Sequence, residues 1–238
     1  MYTLTPLPWT DRPDAVNPLP AAAGTAGSID AADTRRVLRN THALLSMTLL
    51  FSAAVAAASM AFQQPAPALL LTLGGTFGLL FAVYRFRNGG WALPAVVGFT
   101  GFMGYSLGPV LAQSLALPGG AQVVAMALAA TGATFLALSA WVPTTRRDFG
   151  FMGGFLFAGM VIALIAGLGA VFLQMPALGL AVAAMVALLS AGLILFETSR
   201  IVNGGETNYV LATVGLYVSI FNLFVSLLSL FGFGSSDE

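Results

Sequence analysis

The chain contains no cysteine, no lysine and a single histidine, His42, and these absences exclude several kinds of site. Without cysteine it forms neither a disulfide scaffold nor a thiolate metal site. One imidazole does not supply the ligands of a zinc or iron centre, so we expect no bound metal and no cofactor. The formal net charge is zero, which argues against a nucleic-acid partner bound through a basic patch.

Charge of either sign is scarce. Of the 238 residues, 8% are charged and 58% are hydrophobic, and the mean hydropathy is +0.90. A soluble domain carries about 25% charged residues, and a soluble fold could not cover its surface with so few. The composition therefore predicts an integral membrane protein, with membrane lipid as its surroundings.

The charged residues form clusters that are separated by long neutral runs. Runs without a formal charge cover 40–84, 88–145, 149–196 and 207–236, which are 45, 58, 48 and 30 residues long. A helix needs about 20 apolar residues to cross the hydrocarbon, so each of the first three runs holds two crossings and the last holds one. Gln, Pro and Gly near the midpoints of the long runs end the helices. We predict an all-α bundle of seven transmembrane helices, near 43–62, 68–86, 91–112, 121–142, 151–173, 177–196 and 209–231.

Two crossings per run place the arginines that flank the spans on one side of the membrane. They are Arg35, Arg36, Arg39, Arg85, Arg87, Arg146, Arg147 and Arg200. Arginines near span ends are retained in the cytoplasm, so we expect a cytoplasmic N-terminus and, after seven spans, a periplasmic C-terminus. Residues 1–34 are rich in Pro, Ala, Gly and Asp and show no apolar helical period. We interpret 1–34 as a flexible cytosolic tail and 35–238 as the transmembrane domain.

Small residues form a stripe on the third predicted helix. Gly98, Gly101, Gly104 and Gly108 recur at spacings of three, three and four. Lipid provides no hydrophobic drive for helix association, and such stripes let backbones approach closely. The stripe indicates either tight packing, which is the commoner case, or a helix that slides or pivots.

Polar residues form one face of the seventh predicted helix. Gly215, Ser219, Asn222, Ser226 and Ser229 recur at spacings of four, three, four and three. Polar residues in a span face the protein interior or a water-filled cavity, so we expect this helix at the centre of the bundle. Its polar face indicates either hydrogen bonds between helices or a polar path for an ion.

Glu197 is the acid that follows directly on an apolar span, and Arg200 comes three residues later. A buried carboxyl group without a charged partner is difficult to ionise, so Glu197 is a candidate for sensing pH or for holding a cation. The alternative is an interfacial ion pair with Arg200. Glu206 is a further acid in the loop that follows. Calcium prefers six to eight oxygen ligands, so a calcium site built on these two acids would be weak.

One motif resembles a catalytic site without its structural context. Residues 104–108 match G-x-S-x-G with Ser106 at the centre, but that motif works at a sharp turn between a strand and a helix. Here it falls within an apolar helix, so we predict no hydrolase and no enzyme.

Several segments together resemble the Bax inhibitor family. The longest are Phe196-Glu197-Thr198-Ser199-Arg200-Ile201, Gly204-Gly205-Glu206-Thr207-Asn208-Tyr209 and Leu216-Tyr217-Val218-Ser219-Ile220-Phe221-Asn222-Leu223-Phe224. Two shorter segments, Val37-Leu38-Arg39-Asn40-Thr41 and Thr144-Thr145-Arg146-Arg147-Asp148, resemble more narrowly a bacterial branch of that family. The resemblance extends from about Arg36 to the C-terminus.

The resemblance implies a fold in which the last of seven helices is enclosed by the other six. Some members of the family behave as pH-sensitive calcium leaks that use two acids between the sixth and seventh helices. The first acid corresponds to Glu197, whereas the second corresponds to Ser219, which cannot ionise. A shared-proton pair needs two carboxylates, so the resemblance leaves charge pairing of Glu197 with an arginine as a partial replacement. The bacterial branch instead implies an inner-membrane protein that binds and restrains the ATP-dependent protease FtsH. The resemblance also implies that such members are slow substrates of FtsH, which engages them through the cytosolic N-terminal tail. FtsH modulation is the favoured function and a pH-sensitive cation leak the alternative, with Glu197, Arg200, Ser219 and Asn222 as candidate sensing residues.

Overall fold

The computed structural model describes residues 22–145 and 147–234. Predictions made for residues 1–21, for Arg146 and for the C-terminal residues 235–238 lie outside this range.

Seven long α-helices run through the described residues. They are α1 (Ala22–Ala61), α2 (Leu69–Phe86), α3 (Ala92–Ala116), α4 (Gly120–Thr145), α5 (Gly153–Phe172), α6 (Pro176–Val202) and α7 (Tyr209–Gly234), with a 3-10 turn at Gly150–Met152 before α5. All seven are long and apolar enough to cross a membrane. This confirms the predicted all-α membrane bundle, and most predicted boundaries lie within four residues of the observed ones.

The two larger differences concern the start of α1 and the end of α6. Helix α1 begins at Ala22, so residues 22–34 are helical where the sequence analysis expected flexible chain. The division between a tail and the membrane domain stays a prediction. Helix α6 continues to Val202, six residues beyond its predicted end. Glu197 and Arg200 therefore lie within the last turns of α6 and do not follow it.

The turns between helices use residues that tolerate unusual backbone dihedrals. Gly119 and Gly204 have φ values of +70° and +74°, in the left-handed region that glycine enters without steric cost. Gly204 ends α6 in this way, two residues after Val202. At the start of the same helix, Pro176 occupies the first helical position, where its missing N–H leaves no hydrogen bond unmade.

Helix α7 is the centre of the bundle. It packs against α1, α3, α4 and α6, whereas α2 packs mainly on α3 and α5 mainly on α6. Half of the residues in the most apolar stretch of α7 are buried, against 6% in that of α2. The central position predicted for the seventh helix is confirmed. The expectation that all six other helices enclose it is wrong, because four do so and α2 and α5 form an outer layer.

Helices α1 and α3 cross at close range. A Cβ atom added at Gly104 would overlap the backbone carbonyl oxygen of Ser52, and one at Gly108 would lie 2.6 Å from the Cβ of Ser59. By contrast, a Cβ at Gly98 would lie 3.9 Å from the nearest atom, in Leu79. The glycine stripe thus serves tight packing at two positions, Gly104 and Gly108, where helix backbones meet.

Candidate functional site

Glu197 lies where α6 meets α7. Its side chain is 15% exposed. A Cβ atom added at Gly215 of α7 would lie 2.8 Å from the carboxyl carbon of Glu197. The absence of a side chain at Gly215 therefore provides the space that the Glu197 carboxylate occupies. Gly215, the first residue of the predicted polar face, is thus in contact with Glu197, the predicted sensing acid.

Arg200 joins the two acids of the region. Its Nη1 lies 3.9 Å from Oε2 of Glu197, and its Nη2 lies 3.0 Å from Oε2 of Glu206. The guanidinium group also lies over the ring of Phe196, 5.5 Å from the ring centroid, at a distance typical of a cation–π contact. The geometry matches the ion-pair interpretation of Glu197, and the nearer partner of Arg200 is Glu206.

The loop between α6 and α7 folds back onto this cluster. The backbone N–H of Glu206 donates to the carbonyl oxygen of Arg200 at 3.0 Å. The Glu206 Oε1 atom accepts the backbone N–H of Asn208 at 2.9 Å. Both carboxylate oxygens of Glu206 therefore have partners, which holds this acid at an exposed loop in one orientation.

Asn208 is a structural residue that the sequence analysis missed. Its Oδ1 accepts the backbone N–H groups of Val210 and Leu211, at 3.0 Å and 3.3 Å, and so caps the N-terminus of α7. Its Nδ2 donates to the carbonyl oxygen of Arg87 and to Oδ1 of Asn88. The signal was present, since an Asn directly before an apolar run is a helix start signal. The bond to the α2–α3 turn, 120 residues away, has no signal in the sequence.

A polar cavity opens beside the cluster. Its volume is about 760 Å³. Among the described residues that line it are Tyr84, Arg87, Asn88, Arg200, Glu206 and Asn208. Glu197 is not one of them, so the cavity reaches the partner of Glu197 but not Glu197 itself.

Ser219 and Asn222 lie on the turns of α7 that follow Gly215. Ser219 is buried, and its Oγ donates to the carbonyl oxygen of Gly215 at 3.0 Å, within its own helix. Asn222 is half-buried. The structure joins Glu197, Arg200 and Glu206 through two ion pairs, whereas the hydrogen bond of the Ser219 hydroxyl is to Gly215, the residue that faces the Glu197 carboxylate. The roles of Ser219 and Asn222 as sensing residues stay predictions.

Hydrogen bonds between α7 and its neighbouring helices are made by residues other than those predicted. Ser219 and Ser229 bond within α7, so the interpretation of the polar face as interhelical hydrogen bonds is wrong at these two positions. Tyr217 instead approaches α1, with its hydroxyl 2.6 Å from Oγ of Ser52, and donates to the carbonyl oxygen of Thr100 of α3 at 3.4 Å. Tyr217 was not predicted as a contact residue, because in an apolar span its ring resembles any other hydrophobic side chain.

The hydrolase-like motif lies in the middle of a helix, as expected. Ser106 belongs to α3, and its Oγ donates to the carbonyl oxygen of Phe102 in the preceding turn at 3.0 Å. Nδ1 of His42 lies 2.9 Å from the carbonyl oxygen of Leu38 in its own helix. Among the described residues, no group of three or more His, Asp or Glu side chains is arranged to hold a metal ion.

Comparison with known proteins agrees with the resemblance in the sequence. A family model described as "Inhibitor of apoptosis-promoting Bax1" matches residues 34–236. The "Modulator of FtsH protease YccA" of Escherichia coli is 52% identical over 204 residues, which cover 86% of this chain and 93% of that protein. An uncharacterized Pseudomonas aeruginosa protein is 46% identical over 202 residues, covering 85% of this chain and 91% of its own. An uncharacterized membrane protein of Vibrio cholerae is 44% identical over 207 residues, covering 87% and 93%.

The family model extends over the region that holds all seven spans and the cluster around Arg200. The relatives with a descriptive name are named as a modulator or as inner membrane proteins, and none of these names denotes an enzyme. With a family match over most of its length and several close relatives, the chain belongs to the Bax inhibitor family of membrane proteins.

Proposed function

We propose that this protein binds the membrane-bound protease FtsH in the bacterial inner membrane and modulates its activity, without being an enzyme itself. The observation that carries the proposal is the 52% identity to a relative named as a modulator of FtsH, over 93% of that relative's length. Similarity at this level, spread across the whole membrane region, favours a shared partner as well as a shared fold.

The proposed orientation follows the arginines. With Arg85, Arg87, Arg147 and Arg200 at one boundary, the positive-inside rule places that boundary in the cytoplasm. The N-terminal segment would then be cytosolic, and the C-terminus periplasmic. A cytosolic N-terminal segment suits an interaction in which the protease engages the chain from that end.

The packing of the bundle supports a modulator that resists extraction. The α1–α3 crossing brings backbones together at Gly104 and Gly108, and Tyr217 joins α7 to both helices. A protease that pulls on α1 would have to separate it from α3 and α7 at once. Slow extraction would keep the protease occupied, which is the proposed basis of modulation.

Co-purification tests the partner. A C-terminally tagged chain is expressed in cells that lack their own YccA and is purified in mild detergent, and FtsH in the eluate is quantified. Three versions are compared: the intact chain, a chain without residues 2–21, and a chain with those residues replaced by a Gly/Ser linker of equal length. We expect FtsH with the intact chain, and less with both altered chains.

Turnover of other FtsH membrane substrates provides the functional readout. Overexpression of the intact chain is expected to slow their degradation, and the linker version to slow it less. An intact chain that neither retains FtsH nor changes substrate half-lives would contradict the proposal.

A cation leak that responds to pH is a second candidate. The open cavity of about 760 Å³ beside Arg200 and Glu206 is in its favour, whereas the described lining of that cavity does not include Glu197. Arg200 balances part of the charge of the two acids, and Ser219 cannot act as the second member of an acid pair. Vesicles with an entrapped calcium dye separate the two functions. Flux that disappears in Glu197→Gln but persists in Asp148→Asn, an acid outside the cluster, would support the leak. Flux equal to that of empty vesicles would exclude it.

A further inference from the structure

The polar cavity beside Arg200 contains an arginine that has no acid of its own. The described lining includes two arginines, Arg87 and Arg200, and one acid, Glu206, while Glu197 pairs with Arg200 from outside the lining. Arg200 is paired with Glu206 and Glu197, whereas Arg87 forms no ion pair with any described residue. Arg87 is therefore the cation of this cavity that is available to a ligand. The N-terminal end of α7 lies at the same cavity and adds a positive dipole potential.

Hydrogen bonds from Asn208 hold the turn that carries Arg87 in place. Asn208 donates to the carbonyl oxygen of Arg87 at 3.3 Å and to the side chain of Asn88 at 2.8 Å. Because Asn208 also caps α7, these bonds fix the α2–α3 turn against the central helix. A ligand at Arg87 would therefore meet a turn that is already ordered, which lowers the entropic cost of binding.

An apolar groove is formed by residues that flank the same turn. Its volume is about 460 Å³, and it is lined by Ala82, Phe86, Trp91, Pro94 and Ala95. Phe86 directly precedes Arg87 in the chain, and Trp91 directly precedes Ala92, which lines the polar cavity. The two spaces thus both use the α2–α3 turn, one with polar and one with apolar lining residues. Trp91 is 71% exposed at the end of a span, the depth at which tryptophan is enriched in membrane proteins.

This pairing of an arginine-lined cavity and an apolar groove matches the two halves of a phospholipid. We propose that one anionic phospholipid binds across the α2–α3 turn, with its phosphate beside Arg87 and one acyl chain in the groove beneath Trp91. Basic pockets between helices on the cytoplasmic side bind acidic head groups in this manner. The proposal does not depend on the interaction with FtsH.

Native mass spectrometry of the full chain, titrated with phosphatidylglycerol or phosphatidylcholine, tests the site. We expect phosphatidylglycerol to bind about tenfold more tightly. Both lipids carry a phosphate that Arg87 can contact, but phosphatidylcholine also carries a quaternary ammonium group, which cancels its net charge and is repelled by the arginine. Arg87→Gln should remove that preference, and Arg87→Lys should keep most of it. Trp91→Ala should weaken the binding of both lipids by a similar factor, because it acts on the acyl chain.

Arg147→Gln is the matched control, since it removes one arginine from a different turn at the same boundary. A preference lost equally in Arg147→Gln and Arg87→Gln would overturn the proposal in favour of general surface charge. Equal binding of the two lipids by the unaltered chain would also overturn it. Displacement of phosphatidylglycerol by millimolar inorganic phosphate would identify a free-phosphate site instead. Should Arg87→Gln fail to fold, judged by its elution profile, Trp91→Ala and Arg87→Lys still decide the outcome.

Discussion

Two glycines of the bundle, Gly104 in α3 and Gly215 in α7, both admit a close neighbour but differ in what the neighbour is. At Gly104 it is the main-chain carbonyl group of Ser52, whereas at Gly215 it is the carboxyl end of the Glu197 side chain. A main chain moves only if its whole helix moves, while a carboxylate moves by rotating about side-chain bonds. The α1–α3 contact at Gly104 is therefore fixed by the shape of two backbones, whereas the contact at Gly215 can adjust when the Glu197 carboxylate moves.

The two contacts also differ in their surroundings. The α1–α3 crossing belongs to the interior of the bundle, with buried apolar residues such as Ala56 and Leu107 close by. The α6–α7 junction lies beside an open polar cavity and holds three charged groups within two ion pairs. We therefore expect the α1–α3 crossing to determine the stability of the fold. The α6–α7 junction should instead determine the positions of the Glu197, Arg200 and Glu206 side chains.

The largest expected effect comes from Gly104→Ala. The new methyl group would overlap the Ser52 carbonyl oxygen and force α1 and α3 apart, at a cost of about 2 kcal/mol, the typical cost of overpacking. Thermal unfolding of the purified protein in detergent measures this. Gly98→Ala is the matched control on the same helix, because its methyl group has space. Equal melting temperatures for the two variants would show that the crossing is not fixed by shape.

Tyr217→Phe should have the next largest effect. It removes the hydroxyl that contacts Ser52 and Thr100 and leaves a buried serine without its partner, which costs about 1 kcal/mol or slightly more. The same unfolding measurement applies. Tyr105→Phe provides the comparison, because the Tyr105 hydroxyl makes one exposed bond of 3.5 Å. A Tyr217→Phe protein as stable as the Tyr105→Phe protein would contradict the assigned role of this hydroxyl.

Arg200→Gln should cost less, about 1 kcal/mol, because the ion pairs are partly exposed and partly screened. Both acids would lose their cation, so the loss should shrink at high salt. Unfolding at low and high ionic strength gives the measurement, with Arg147→Gln as the control. A loss that does not depend on salt would indicate that the arginine acts through packing on Phe196 rather than through charge.

Gly215→Ala should change stability least, by a few tenths of a kcal/mol, since the displaced group is the mobile end of a side chain. Its effect should appear as a coupling energy between positions 215 and 197. The cost of Glu197→Gln should be smaller in a Gly215→Ala background than in the unaltered chain, because the carboxylate has already left its position. A double-mutant cycle measures this difference. Additive effects would mean that the Gly215 contact does not position Glu197.

The sequence was most informative about the number and placement of the helices. The neutral runs between arginine clusters are close to two membrane crossings long, so seven spans follow from length alone, and residues such as Pro176 mark helix starts directly. The end of α6 was misplaced because Glu197 and Arg200 suggested contact with water. The helix tolerates both charges because they neutralise one another and Gly215 provides space.

The contacts of the site were less accessible to sequence reasoning. The pairing of Arg200 with Glu206 depends on a loop that folds back through backbone bonds. The approach of Tyr217 to Ser52 joins residues 165 positions apart. Neither spacing nor composition encodes such distances. Charge position and polar spacing predicted Glu197, Arg200 and Ser219 as candidates, whereas the hydrogen bonds by which Asn208 joins α7 to the α2–α3 turn are seen only in the structure.

The central position of α7 has a consequence for how the protein is made. Synthesis proceeds from the N-terminus, so the helix that α1, α3, α4 and α6 pack around is the last of the seven to leave the ribosome. Until then those four helices expose to lipid the faces that later become interior, including the Ser52 hydroxyl. Packing of these four helices is therefore completed only once α7 is in place, and a chain halted before Tyr209 would leave their inner faces uncovered.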